Sequence, residues 1–206
     1  MAEILRIHPE TPQRRLITRA ADAVRRGRVI AYPTDTTWAL GAAIGDKGAL
    51  DRIIRLRRLH ERHQFTLVCV DLSGSGAYAR YDTPTYRLLK FHTPGPWTFI
   101  LPAAREVPRR LQHPKKKTIG LRVPDSVIAL ALLEELGEPM LTTTLRLPGD
   151  EYPLTEADEI ERRAGRHIDL ILDGGACGMD TTTVVDMTGD EPAIVRPGRG
   201  ESPAFD

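Results

Sequence analysis

Residues 28–40 read RVIAYPTDTTWAL. The first part, RVIAYP, is a short apolar run between a charged residue and a proline, the pattern of a strand buried on both faces. The second part, YPTDTTWAL, sets three threonines and an aspartate in the loop after that strand, where open α/β sheets take their ligands. Thr34 and Thr36 can offer hydroxyls there to a small polar substrate. They can equally close a turn on their own backbone.

On the N-terminal side, residues 12–27 carry Leu16, Ile17, Ala20, Ala23 and Val24 at the spacing of one helix face and end at Gly27. On the other side, residues 39–44 read as a second strand and residues 46–58 as a helix. Further strands are expected at 65–70 (FTLVCV), 97–102 (WTFILP), 117–123 and 140–144. Helices are expected at 84–91, 126–136 and 153–163, the second closed by Gly137. Residues 170–173 read as a strand end, and 182–186 with 193–196 as a closing pair around Gly189-Asp190. This alternation predicts one α/β domain over residues 1–206, a three-layer arrangement of a mixed sheet of about seven strands with helices on its faces. The polar tail from Gly198 is expected to fray.

The 206 residues, 41% hydrophobic, are enough for one sizeable core. Lys and Arg total 29 against 28 Asp and Glu, so bulk charge argues neither for nor against nucleic acid or membrane partners. No run nears the roughly 18 apolar residues of a membrane-spanning helix, and the start lacks a signal-peptide pattern, so a cytoplasmic protein without a membrane partner is expected. Cys69 and Cys177 have no spacing for zinc and read as free thiols. His60 and His63 lie three apart on a charged segment with no third ligand nearby, which predicts surface histidines and no metal site.

Cations recur at particular places. Arg52, Arg55, Arg57 and Arg58 project from one helix end, where they suit either the helix dipole or a phosphate held by guanidinium forks. Arg122 stands inside an apolar strand and needs a partner or a ligand, because a buried unpaired charge is costly. Residues 93–101 (TPGPWTFIL) make a rigid turn that can present amides to an anion. Thr142 and Thr144 in LTTT, and Thr182 and Thr183 in TTVVD, add hydroxyls at two more strand ends. Together these residues predict a cationic, hydroxyl-lined cleft for a phosphate-bearing ligand. Lys115, Lys116 and Lys117, with Arg109 and Arg110 before them, read as either a solvated loop or a phosphate-contacting edge.

In order, YPTDTTWALG, TPGPWTFIL, GLRVP, LTTT and TTVVD resemble the threonylcarbamoyl-AMP synthase family of YrdC-like and YciO-like proteins. The likeness covers nearly the whole chain. IHP, FTL, EVPRRL and TIGLRVP place it nearest the YciO subgroup. The resemblance implies a twisted mixed sheet with a concave cationic surface. It also implies an activity that joins L-threonine, bicarbonate and ATP, the last with Mg2+, into threonylcarbamoyl-AMP for tRNA modification, and contact with double-stranded RNA. By the same resemblance Thr34 and Thr36 are substrate-loop hydroxyls and Trp38 stands where the family often has tyrosine. Arg122 meets a carboxylate or phosphate, and Thr142, Thr182, Thr183 and Arg196 belong to the nucleotide and substrate site. Two motifs depart from it. The family's Lys-x-Arg reads Arg55-Leu56-Arg57 here, and its Ser-x-Asn reads Thr144-Leu145-Arg146. Exchanging Lys for Arg replaces a compact ammonium with a planar fork.

Two functions are compatible with these residues. One is a synthase-like nucleotidyltransferase in which Arg55, Arg57 and Thr144 serve catalysis by position and charge. The other is a non-catalytic binder of double-stranded RNA or tRNA, for which Arg109, Arg110 and Lys115–Lys117 matter most.

Overall fold

In the computed structural model, which describes residues 1–60 and 62–205, RVIAYP becomes strand β2, Ile30–Pro33, every residue of it buried. It follows β1 (Glu3–Arg6) and α1 (Arg14–Arg25) and leads into β3 (Trp38–Ala43), α2 (Lys47–Arg57), β4 (Thr66–Val68) and α3 (Thr83–His92). The chain continues through β5 (Trp97–Pro102), β6 (Thr118–Arg122), α4 (Val127–Leu136), β7 (Met140–Thr144) and α5 (Ala157–Ala164). It closes with β8 (Leu170–Asp173), β9 (Thr183–Asp186) and β10 (Ala193–Arg196).

Among the described residues the ten strands form one mixed sheet in the order β1-β8-β2-β3-β7-β4-β6-β5-β9-β10. The class is the expected α/β, but the count of about seven strands was too low. The N-terminal segment pairs in parallel with β8, and β8 is a full member of the sheet between β1 and β2. Period-two alternation sorts the sheet into two faces. Ile30, Tyr32, Leu170 and Leu172 meet α1 and α4 in one core, where Ala20, Val24, Ala129 and Leu132 are fully buried. Ala31, Leu40, Leu67 and Ile171 meet α2 and α5 in the other, around Ile53 and Ile160.

Local chemistry fixes the helices that carry the site. The Asp46 carboxylate accepts from the Ala49 amide at 2.8 Å and caps α2. That helix ends at Arg58 in the left-handed region, φ 48°, which turns the chain sharply into the loop after it. Ser126 caps α4, and Gly137, φ 75°, ends it.

The tail does not fray. Phe205 is buried against His92, Trp97 and Phe99. Ser202 Oγ sits 2.7 Å from His92 Nε2, and the Gly200 carbonyl accepts from Thr183 Oγ1 at 2.7 Å. One aromatic residue at the far end of a polar stretch, together with these hydrogen bonds, docks residues 198–205, which composition alone does not reveal.

Candidate functional site

A cavity of about 600 Å³ lies where the end of α2 meets strands from the middle and one edge of the sheet. Arg57 and Arg58 reach it from α2, Arg122 from β6, Arg146 from just beyond β7 and Arg196 from β10. Thr142, Thr143 and Thr144 of β7 and Thr182 before β9 supply hydroxyls, and His60 and His63 enter from the loop after α2. Among the described residues its lining holds five arginines and no carboxylate. Such a surface attracts anions, and its fields are strengthened by the low-dielectric sheet behind it.

Three of the guanidiniums, those of Arg57, Arg122 and Arg196, are held by hydrogen bonds. Arg57 Nε donates to the Arg146 carbonyl at 3.0 Å and Arg57 Nη1 to Thr143 Oγ1 at 2.6 Å. Burial, then the nearby Arg146 and Arg196, pull its pKa down to about 10, so it remains a cation at neutral pH. Arg196 Nη2 donates to the Thr182 carbonyl at 2.8 Å and to Thr182 Oγ1 at 3.1 Å. Its pKa is also lowered, by burial and then by Arg146 and Arg122. Thr98 and Thr182 join hydroxyls at 2.9 Å beneath it.

At the inner wall, Arg122 Nη2 donates to Asp35 Oδ1 at 2.6 Å, to Thr36 Oγ1 at 2.9 Å and to Thr34 Oγ1 at 3.3 Å. The two charged side chains are only 9% and 10% exposed. The pair is half satisfied, because Arg122 Nε and Asp35 Oδ2 are buried without a hydrogen-bond partner among the described residues. Thr34 donates its one hydroxyl proton to the Thr37 carbonyl at 2.6 Å and accepts from the Thr36 and Thr37 amides. The threonine loop thus closes on itself and grips Arg122.

The expected site residues fall into separate groups. Arg57, Arg122, Thr142, Thr144, Thr182 and Arg196 line the cavity, and Thr34 and Thr36 stand one layer behind it. Arg55 does not reach it: its Nε donates to the Asp51 carbonyl on the exposed side of α2. Trp38 is fully buried, its indole donating to the Thr155 carbonyl at 3.0 Å, so it packs the core. Thr183 turns to Gly200. The Gly95 amide bonds the Val123 carbonyl, so that turn ties β5 to the strand beside it instead of facing an anion.

Arg109, Arg110, Lys115, Lys116 and Lys117 are exposed on the connection between β5 and β6, and none lines this cavity. Lys117 instead borders a second hollow of about 440 Å³ with Arg80 and Arg105.

Sequence reasoning missed Thr143 and the placement of His63. Both histidines were expected on the surface. His60 is exposed, but His63 is half-buried in the cavity wall with its ring edge-on to Phe65, centroids 4.9 Å apart. The spacing of His63 from Phe65, at the start of an apolar strand, was the available signal.

Fold and site together define an α/β protein with an arginine-lined anion cavity built on threonine-rich strand ends. The family model Sua5_yciO_yrdC, described as "Telomere recombination", matches residues 22–198, and the chain belongs to that family. It is 51% identical over 205 residues to YciO of Escherichia coli (strain K12), covering all of both chains. The crystal structure of E. coli YciO superposes with a TM-score of 0.96. The threonylcarbamoyl-AMP synthase of Halorhodospira halophila is 29% identical over 173 residues, 82% of this chain and 88% of that one. The crystal structure of Pyrococcus abyssi Sua5 complexed with L-threonine aligns at 28% identity and a TM-score of 0.86, over 95% of this chain and 57% of that one.

Among the described residues no helix is long and apolar enough to cross a membrane.

Proposed function

We propose that the cavity binds L-threonine and ATP and that the protein joins them with bicarbonate into threonylcarbamoyl-AMP, releasing pyrophosphate and water. The five arginines and the threonine hydroxyls of a lining that, among the described residues, holds no carboxylate carry this reading. The carboxylate of an amino acid and the phosphates of a nucleotide would both bond those guanidiniums, and the threonine hydroxyls would pair with the remaining polar groups. The relative whose structure holds L-threonine supports the same choice.

The product contains a carbamate oxygen bonded to the α-phosphorus. The α–β bridge of ATP must therefore break, and negative charge grows on the departing pyrophosphate. Arg57 and Arg196, fixed by their backbone and threonine contacts, would offset that charge without reorganising, with Arg146 adding its charge from the rim. No side chain is needed as a nucleophile, so rate would come from position and charge. Thr144 would orient the carbamate, while Thr34 and Thr36 would act by holding Arg122. Magnesium would be held by the nucleotide's phosphates, since the described lining offers no carboxylate to ligate it.

The test is incubation with ATP, magnesium, bicarbonate and labelled threonine, following pyrophosphate and the adenylate. Product that is lost in Arg57→Ala supports the reading. Absence of product from protein that binds ATP overturns it in favour of a binding module.

One observation favours a second role: Arg109, Arg110 and Lys115–Lys117 present exposed cations outside the cavity. We propose that this edge contacts RNA phosphates. Replacing the three lysines with alanine should weaken binding to an RNA duplex at every sequence and lower the salt slope by about one for each phosphate no longer neutralised. An unchanged slope would remove the proposal.

A further inference from the structure

We propose that His63 is a proton-coupled anion ligand: it lines the cavity as a neutral imidazole and takes up a proton when an anion settles among the arginines. The inference rests on the reading of the cavity as an anion site and adds a group to it that neither the motifs nor the relatives' names assign.

The geometry carries the argument. His63 follows α2 by only a few residues, and its backbone amide bonds the His60 carbonyl at 2.9 Å, which sets the ring into the cavity wall. The Phe65 ring lies edge-on to one side. The charged groups lining the same space are Arg57 and Arg58 from α2, Arg122 from β6, Arg146 beyond β7 and Arg196 from β10, with His60 on the same loop. None of the described lining residues is acidic, so nothing in that lining favours a positive ring. Burial, reinforced by the charges of Arg57 and Arg196, brings the pKa down to about 4.

An anion between those guanidiniums reverses the sign of the local field. It offsets the arginines' repulsion and gives the imidazolium a partner, so the bound state favours the protonated ring. Coupling of this kind is reciprocal: if the anion raises the ring's titration midpoint by one pH unit, protonation tightens anion binding by about tenfold. His63 then differs from the arginines in kind. They are permanent charges, whereas it adds a charge only when the site is filled, and it avoids adding a sixth cation to the unfilled cavity.

Sulfate is the probe, because it stays essentially a dianion from about pH 3 to 8. The His63 ring would be followed by NMR across that range, with and without saturating sulfate, in wild type, His63→Gln, His60→Gln and Arg196→Ala. Saturable sulfate binding that weakens in Arg196→Ala establishes the anion site. The expected result is a midpoint near 4 without sulfate and at least about one unit higher with it. Sulfate affinity should rise about tenfold on acidification in wild type and His60→Gln, with the rise lost in His63→Gln. Sulfate that binds while the His63 midpoint stays put overturns the inference and leaves the anion site standing. A pH-dependent gain that survives in His63→Gln also overturns it. If no saturable sulfate binding occurs at any pH, both the inference and the anion reading fall.

Discussion

Arg122 occupies an apolar strand at 8% exposure because Asp35 and the threonine loop reach it from the end of β2. Removing one member of a buried pair strands the other, so Asp35→Ala should lower stability by about 3 kcal/mol in urea unfolding. Replacing both, as Asp35→Ala with Arg122→Met, should recover part of that loss. Equal losses in the single and double variants would show that the pair is not the unit. His63 gives a second test. Its ordinary value of 6.5 falls to about 4 on folding, so between these values the unfolded chain holds a proton that the folded chain lacks. Stability should therefore fall as pH drops from about 6.5 towards 4, and less steeply in His63→Gln. A thermal midpoint with the same slope in both proteins would contradict this. The need of Arg122 for a partner was legible in its strand, but its partner was not. The choice between ligand and carboxylate depends on a loop that lies 87 residues away in the chain.

The helices and central strands were legible from periodicity, and their bounds shifted by only a few residues; α2, expected at 46–58, spans Lys47–Arg57. β1 escaped because EILR is four residues long and mostly exposed, with only Leu5 buried. Its strand identity comes from pairing with β8 rather than from its own pattern. The cavity posed a related difficulty: Arg55 and Arg57 look equivalent in sequence, yet two residues on a helix point about 200° apart. Of the two, Arg57 faces the threonines of β7. Close approach of β4 and β6 yields a prediction for these elements. Gly120 lies opposite Thr66, and a Cβ there would collide with the Thr66 hydroxyl and come within 3.1 Å of the Phe65 carbonyl. Gly120→Val should cost about 2 kcal/mol by overpacking. Because Thr66 lines the cavity, the variant should also weaken sulfate binding, measured by calorimetry. Wild-type affinity in a destabilised Gly120→Val would separate that strand pairing from the site.

For the molecule as a whole, the docked tail is the feature composition misjudged. Phe205 inserts among Trp97, Phe99 and His92, and Arg199 reaches back to the Asp35 carbonyl. Phe205→Ala should lower stability by about 3 kcal/mol in urea unfolding, and release of the tail should appear as amide exchange at Gly200 and Phe205. Retained protection with unchanged stability would show that the aromatic cluster does not hold it. Sheet order has a wider consequence. Neighbouring strands lie far apart in the chain, as β1 beside β8 and β5 beside β9. The cavity's arginines, at 57, 58, 122, 146 and 196, are likewise brought together from across the chain. A nascent polypeptide that has emerged only as far as Arg146 already carries four of them but cannot yet close the wall that Arg196 completes. The complete cavity should therefore arrive abruptly during synthesis, with the last strand.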